Sequence, residues 1–382
     1  TKVETGVNSM AWSPDGKLIA FTMSEPETKA SKERKEKYGE FEVVQGEYTF
    51  THLWTVDPAG AGSEKLPEPG RLTEGTTFTV GGFDWAPDSR RIAFSAAKDP
   101  DLGSSDTADI YVLNVADKTC KKVVDTKGPD TNPRWSPDGT QIAYETSNAR
   151  EFYYYTNSIL AVVPAEGGAP HLLSEAFDED PSLLAWGPDG IYFSASQRTY
   201  AHLFRLNAAT KKIERLSQPE SRVYFGFSLT ADFRQAAFSA SDAATYPELN
   251  ISSLAPFAPR RLTSLGEQLK DWKLATRELI EWKSADGTAI EGVLYKPADF
   301  DASKKYPLLV VIHGGPTGVD RAVLSGDQYY PMEKFAAKGA LILRPNYRGS
   351  AGYGEKFRAL NVRNLGVGDY WDVISGVDFL IA

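Results

Sequence analysis

Two glycine-bearing turns stand where chemistry could be done. The run Pro307-Leu-Leu-Val-Val-Ile312 is apolar throughout and ends in His313-Gly314-Gly315-Pro316. A run without polar alternation suits a strand covered on both faces of a parallel sheet. Glycines directly after it let the backbone turn sharply and approach a ligand closely. Backbone N–H groups on such a turn can hold the negative oxygen that develops when an acyl group is attacked. Gly314 and Gly315 are therefore the candidate catalytic residues. A second apolar run, Ala340 to Arg344, opens into another turn-rich segment, Pro345-Asn346-Tyr347-Arg348-Gly349-Ser350.

Two such strand ends read as the opening of an α/β-hydrolase domain, in which the loop after a central strand supplies one of two oxyanion donors. The rest of that machinery is missing. The triad in this fold runs Ser, then Asp or Glu, then His, with the Ser inside Gly-x-Ser-x-Gly. No such pentapeptide occurs among the 382 residues. Of the four histidines, His52, His171 and His202 lie far upstream and His313 belongs to the glycine turn itself. The segment Asp369 to Ala382 places Tyr370, Ile374, Val377 and Ile381 on one helical face. Asp369 suits an N-cap, and Asp372 suits the positive end of the helix dipole. This helix should lead into the strand and elbow that would carry the Ser. The expectation is an incomplete hydrolase half, silent by itself, with an apolar strand edge left open.

Composition bounds the remainder. Hydrophobic residues make up 41% and mean hydropathy is −0.36, with no apolar run long enough to cross a bilayer, so a soluble chain without a membrane partner is expected. The net charge of −9 argues against a nucleic-acid partner, which would need a basic face. The single Cys120 excludes an internal disulfide and reads as a packing residue. No His, Cys or carboxylate cluster has metal-ligand spacing, so neither a metal nor a cofactor is expected. The first residue, Thr1, carries no leader pattern and stands in mid-pattern, so the natural N-terminus is expected elsewhere. The compartment, cytoplasmic or periplasmic, stays open.

Repeats organise the first two thirds. Trp12-Ser-Pro-Asp-Gly16 recurs as Trp85-Ala-Pro-Asp-Ser89, Trp135-Ser-Pro-Asp-Gly139 and Trp186-Gly-Pro-Asp-Gly190, with a degenerate fifth copy over Phe227 to Asp232. Pro presets the first turn dihedral and Gly takes the left-handed position that closes a hairpin. A short β-type run follows each turn, then a second strand such as His52 to Val56 or His202 to Leu206. One such turn is an ordinary surface feature. Four in phase, each with a preceding Trp, and with Trp85, Trp135 and Trp186 at a spacing close to the roughly 40–50 residues of a four-stranded blade, predict a β-propeller. Five blades are visible, and propellers of about 4–8 blades are known. The ring is expected to be incomplete. His52 and His202 hold equivalent slots and should be structural. The stretched first repeat, Glu25 to Tyr48, reads as a solvated charged face, with a lid over a substrate entrance as the alternative. The aromatic run Phe152 to Tyr155 reads as packing, with a substrate-lining patch as the alternative.

After a polar linker at Ser264 to Lys273, the runs Glu278 to Lys283 and Ile290 to Lys296 alternate as a hairpin around Asp286-Gly287. Propeller, hairpin, His313-Gly-Gly-Pro316 and Asn346-Tyr-Arg-Gly-Ser-Ala-Gly-Tyr-Gly354 together resemble the prolyl oligopeptidase family of serine peptidases, in the branch of acylaminoacyl peptidases and bacterial dipeptidyl peptidases. The resemblance covers nearly the whole chain. It implies propeller blades over residues 1–265 and the N-terminal part of an α/β-hydrolase domain over 266–382. It also implies oxyanion binding at Gly314 and Gly315, with His313, Tyr347 and Arg348 as substrate-binding residues at the pocket edge, and Asn346 bracing the loop with Tyr347 and Arg348. The implied reaction is acyl transfer through a Ser ester on short peptides, from their N-terminal side. The implied partners are a peptide substrate and the remaining half of the hydrolase domain, in the same gene product or a second chain. Homo-oligomerisation stays open. Two rivals remain at this point: an esterase or amidase on small acyl substrates, and a non-catalytic propeller binding protein.

Overall fold

The computed structural model describes residues 5–41, 47–59, 67–324 and 329–382. Strands dominate, helices are few, and no helix among the described residues is long and apolar enough to cross a membrane. The chain divides into two compact units. The first comprises Thr1–Glu151, Ile159–Glu175 and Ala185–Pro188, and the second comprises Phe152–Ser158, Ala176–Leu184 and Asp189–Ala382.

The first unit holds three four-stranded antiparallel meanders in chain order. They begin with the strands Val7–Trp12, Thr79–Trp85 and Asp130–Trp135. Their first turns are built as the repeat predicts. Gly16 (φ 71°) and Gly139 (φ 68°) take the left-handed position, and their N–H groups donate to Ser13 O and Ser136 O at 2.9 Å. The Ser hydroxyl does two jobs in each. Ser136 Oγ donates to Asp138 Oδ1 at 2.6 Å and accepts from Gln141 N at 2.9 Å. That hydroxyl and the Thr140 N–H hold the Asp138 carboxyl down at about 2. Neighbouring meanders share their cores: Ile110 and Val123 of the second pack with Trp135, Ile142 and Tyr144 of the third.

The shared phase of Trp12, Trp85, Trp135 and Trp186 predicts equivalent, largely buried places, but the four are not equivalent in burial. Trp85 and Trp135 are 5% and 4% exposed, whereas Trp186 is half-buried and Trp12 is 58% exposed. The reason is where each indole goes. Trp85 Nε1 donates to Ala11 O and Trp135 Nε1 to Asp84 O, each on the preceding sheet. Trp12 lies in the first meander, and among the described residues no earlier sheet receives it. Cys120 also departs from expectation: it opens the strand Cys120–Val124 in an exposed position. The charged helix Lys29–Tyr38 buries no residue, as a solvated face should; residues 42–46 of the same stretch lie outside the described set.

In the second unit, two further meanders join into one sheet through a single parallel pair, Ala201 with Val223. The degenerate fifth repeat still closes its turn, with Thr230 in the Ser place and Phe233 (φ 53°) in the Gly place. His52 and His202 are both fully buried, and their Nδ1 atoms face Thr73 Oγ1 and Ser217 Oγ at 3.2 and 3.1 Å. These matching contacts make them structural residues. The aromatic run forms a single 3-10 turn, Tyr153–Tyr155, in place of a strand.

The remainder of this unit is a four-stranded sheet ordered Thr276–Lys283, Ala289–Lys296, Leu341–Asn346, Leu308–Val310. The first two strands form the expected hairpin, and Leu308–Val310 pairs parallel with Leu341–Leu343. Successive side chains on a strand face opposite ways. Ile342 accordingly packs with Met332 and Ala336 of the helix Met332–Ala337, while Leu343 packs with Trp282 and Leu380, the latter on the helix Gly368–Ile381. Gly376 of that helix brings it close, since a Cβ there would meet the Trp282 ring at 2.8 Å.

Two details differ from the sequence reading. Leu308–Val310 is an end strand of this sheet, half-buried, with Ile312 55% exposed beyond it. The helix begins at Gly368, with Val367 as N-cap, and turns Asp372 and Gly376 inward. Tyr370, Trp371, Ile374, Phe379 and Ile381 are left exposed.

Candidate functional site

The carboxyl ends of the parallel strands Leu308–Val310 and Leu341–Asn346 lie side by side, where ligands bind in open α/β sheets. Each end releases one of the two glycine-bearing turns, and hydrogen bonds tie the turns together. Tyr347 Oη donates to His313 O at 2.7 Å, and the Tyr347 and His313 rings stack with centroids 4.5 Å apart. Ala351 N donates to Gly318 O at 3.2 Å. Asn346, fully buried, accepts from Asp320 N through Oδ1 at 2.7 Å and donates through Nδ2 to Asp320 O at 2.9 Å.

The two glycines differ. Gly315 has φ 126°, and a Cβ there would lie 2.8 Å from Thr317 N and 2.9 Å from Gly318 N, so only glycine fits. Gly314 is exposed, and apart from its two chain neighbours no described atom lies within 4 Å of where its Cβ would sit. One glycine makes the turn; the other leaves open space beside it.

His313 is half-buried, and burial pushes its imidazole below the ordinary value. Nδ1 lies 3.2 Å from Gly314 O. Nε2 faces Ser350 Oγ at 3.0 Å. A Ser hydroxyl beside an imidazole invites comparison with a nucleophile and its base. Ser350 does not suit that role, because it is fully buried and its one hydroxyl proton goes to Tyr347 O at 2.6 Å. The pair braces the two turns. Burial also raises the Tyr347 phenol, to about 12.

Arg348 is 4% exposed and points into the protein. Its backbone N–H and Nε donate to Asp372 Oδ2 at 2.7 and 2.9 Å, and Nη2 donates to Asp372 Oδ1 at 2.7 Å. Nη1 reaches Asp286 Oδ2 at 2.8 Å, and Nη2 also reaches Asp286 Oδ1 and Ser284 Oγ. These carboxylates hold Arg348 firmly protonated, and Arg348 drives the Asp286 carboxyl well below its usual range. Arg348 therefore fixes the second turn to the hairpin and to the last helix. Sequence reasoning missed Asp286 and Asp372 as its partners. The available signal was a carboxylate on the same helix stripe as Gly368 and Gly376, a stripe too small-sided to be the solvated face.

A second set of contacts grips Gly352 to Arg358. Glu355 N donates to Asp178 Oδ1 at 2.8 Å, and Arg358 Nη1 donates to Asp180 Oδ2 at 2.6 Å and to Asn157 Oδ1 at 3.2 Å. Between those carboxylates, Glu179 faces the backbone N–H groups of Gly354 and Gly352. Burial raises its carboxyl to about 7, with Asp178 and Asp180 adding to the rise.

Residues 328–382 match the prolyl oligopeptidase family, Peptidase_S9. The chain is 25% identical to dipeptidyl-peptidase 5 of Porphyromonas gingivalis, an alignment covering 98% of this chain and 57% of that protein. It is 25% identical to dipeptidyl-peptidase 5 of Schizosaccharomyces pombe, over 74% of this chain and 41% of that one. Among solved structures, the acylaminoacyl peptidase of Pyrococcus horikoshii superposes with a TM-score of 0.77 at 19% identity, covering 100% of this chain and 57% of that one. A puromycin-hydrolysing peptidase of Mycobacterium tuberculosis gives 0.70 at 17% identity, covering 99% and 56%. At such identities the structural likeness speaks for the fold alone. The chain spans a little over half the length of the first of these relatives.

Proposed function

We propose that the chain forms the β-propeller and the N-terminal part of the hydrolase domain of a serine peptidase of the prolyl oligopeptidase family, whose model matches residues 328–382. The enzyme would cleave short peptides from their N-terminal side. In this reading the five meanders over residues 1–265 are blades, and residues 266–382 open the catalytic domain. The observation that carries the reading is the pairing of the His313-Gly314-Gly315 and Asn346–Ser350 turns at the carboxyl ends of adjacent parallel strands. Substrate would lie against the open side of Gly314, where backbone N–H groups can meet the oxyanion. One such donor contributes about 10²–10³ in rate. His313 and the Tyr347 ring form the pocket edge, and Arg348 holds the second turn in place from behind.

The nucleophile, its base and the second oxyanion donor belong to residues outside these 382. The exposed Ile312, Tyr370, Trp371, Ile374 and Phe379 form the surface that the rest of the hydrolase domain would cover. An exposed apolar set of this kind marks an interaction site. A fluorophosphonate probe tests the proposal. The 382-residue chain should gain no covalent mass, and a longer protein containing it should label once, at a Ser beyond residue 382. Peptide substrates with free and with acylated N-termini then separate dipeptidyl from acylaminoacyl specificity. Stoichiometric labelling of the 382-residue chain would overturn the assignment. Ester turnover by the longer protein without any peptide cleavage would favour the small-acyl esterase instead.

A further inference from the structure

Arg198 stands at the tip of the hairpin between the strands Gly190–Gln197 and Tyr200–Leu206, in the left-handed conformation (φ 52°) that few non-glycine residues adopt. Its backbone N–H donates to Gly352 O at 2.5 Å, and a Cβ on Gly352 would lie 2.4 Å from Arg198 O. The tip is thus seated against the second turn. Its guanidinium binds two carboxylates of the Thr276–Lys296 hairpin, Glu281 and Glu291. These partners are unequal, since the Glu281 side chain is 65% exposed and that of Glu291 is 5% exposed. The outer pair contributes little, whereas a buried carboxylate deprived of its cation is costly.

From Glu291 the hydrogen bonds run on without a break. Tyr353 Oη donates to Glu291 Oε1 at 2.6 Å and accepts from Asn346 Nδ2 at 3.0 Å. Burial and the Glu291 charge raise the Tyr353 phenol far above its usual value, so it stays a donor. Asn346 brackets Asp320 from both sides of its backbone, at 2.7 and 2.9 Å. Asp320 lies in the loop that begins at His313.

We propose that Arg198 is a positioning residue for the Gly314–Gly315 turn, acting through Glu291, Tyr353, Asn346 and Asp320. It touches no substrate; a repeat-sheet hairpin sets the order of the candidate oxyanion loop. The role assigned to that loop rests on the peptidase reading, but the coupling does not. Amide hydrogen exchange by mass spectrometry on the 382-residue chain tests it. In Arg198→Met, amides of residues 314–320 should exchange about tenfold faster or more, as expected for loss of one charge-assisted hydrogen bond. The strands of Thr79–Val124 should be unchanged. Arg198→Lys, which keeps a cation, should restore most of the protection. Tyr353→Phe should loosen the same loop, and the double variant should add nothing to either single one. Faster exchange confined to residues 198–200 and 281–291, or fully additive effects, would refute the relay. Should Arg198→Met fail to fold, Tyr353→Phe retains the ion pair and reads the same loop, and an unchanged loop in that variant refutes the relay equally. Failure of the peptidase reading would show separately, as a longer protein that no fluorophosphonate labels.

Discussion

Glu179→Gln should make the protein more stable at pH 8 and leave it unchanged near pH 4.5. The carboxyl has an ordinary value of 4.5 and is raised to about 7, chiefly by burial. Asp178 and Asp180 on its own loop push it further up, while the N–H groups of Gly352 and Gly354 on the facing segment pull it down. Of the two cations of that segment, Lys356 and Arg358, the latter is engaged with Asp180. A carboxyl raised in the folded state binds more protons there than in the unfolded chain between the two values. Stability must then fall as pH climbs from about 4.5 to about 7 and level off above that. Full transmission of the shift would amount to about 3.4 kcal/mol, at about 1.36 kcal/mol for each pKa unit. Glu179 is only partly shielded from solvent, and screening reduces the expected effect to about 1–2 kcal/mol. Gln cannot ionise and removes the slope. Thermal unfolding followed by Trp fluorescence from pH 4.5 to 8 is the assay, with a gain of about 2–8 °C expected at the alkaline end. Two compact units need not melt in one step, so the reading is the pH slope of the difference between variant and parent. A difference that does not vary with pH, or a variant less stable at pH 8, refutes the reasoning.

Asp372→Ala should cost about 3–5 kcal/mol in denaturant unfolding, because it strips two hydrogen bonds from a buried guanidinium and a third from the Arg348 backbone N–H. Replacing both partners, Arg348→Met with Asp372→Leu, should recover more than half of that loss; no recovery would mean the ion pair is not the source. Gly315→Ala should destabilise by about 1–3 kcal/mol through its forced backbone conformation, whereas Gly314→Ala should fold like the parent; equal effects in the melting curve would contradict the different roles given to the two glycines. The Asp286 carboxyl is held below its ordinary 3.8, first by hydrogen bonds from Arg348. Its contribution is present above pH 3.8 and lost as pH falls through the depressed value. Asp286→Asn should therefore flatten the acid end of the stability profile, and an unchanged acid limb would count against the pairing.

The elements written in local pattern were legible in the sequence. The Pro-Asp turns, the hairpin around Gly287 and the parallel pair of apolar runs each depend on residues a few positions apart, whose dihedral and periodic preferences show in the string. His52 and His202 could be assigned together because their repeats put them in the same phase, and their matching Thr73 and Ser217 contacts follow. Periodicity fails once the question is which neighbour covers a face. The last helix has an apolar side through Tyr370 and Ile374, yet it turns Asp372 and Gly376 inward. Trp282 needs the space a glycine leaves, and Arg348 needs a carboxylate, and both demands come from outside the helix. Trp12 carries the same motif as Trp85, but among the described residues no earlier sheet receives its indole. The polar braces were the least legible part of the site. Arg348 meets Asp286 across 62 positions, and Arg198 meets Glu291 across 93. Neither arginine stands in a motif that names its partner. A half-exposed arginine at a hairpin tip looks like any solvated charge until the carboxylate it reaches proves to be buried.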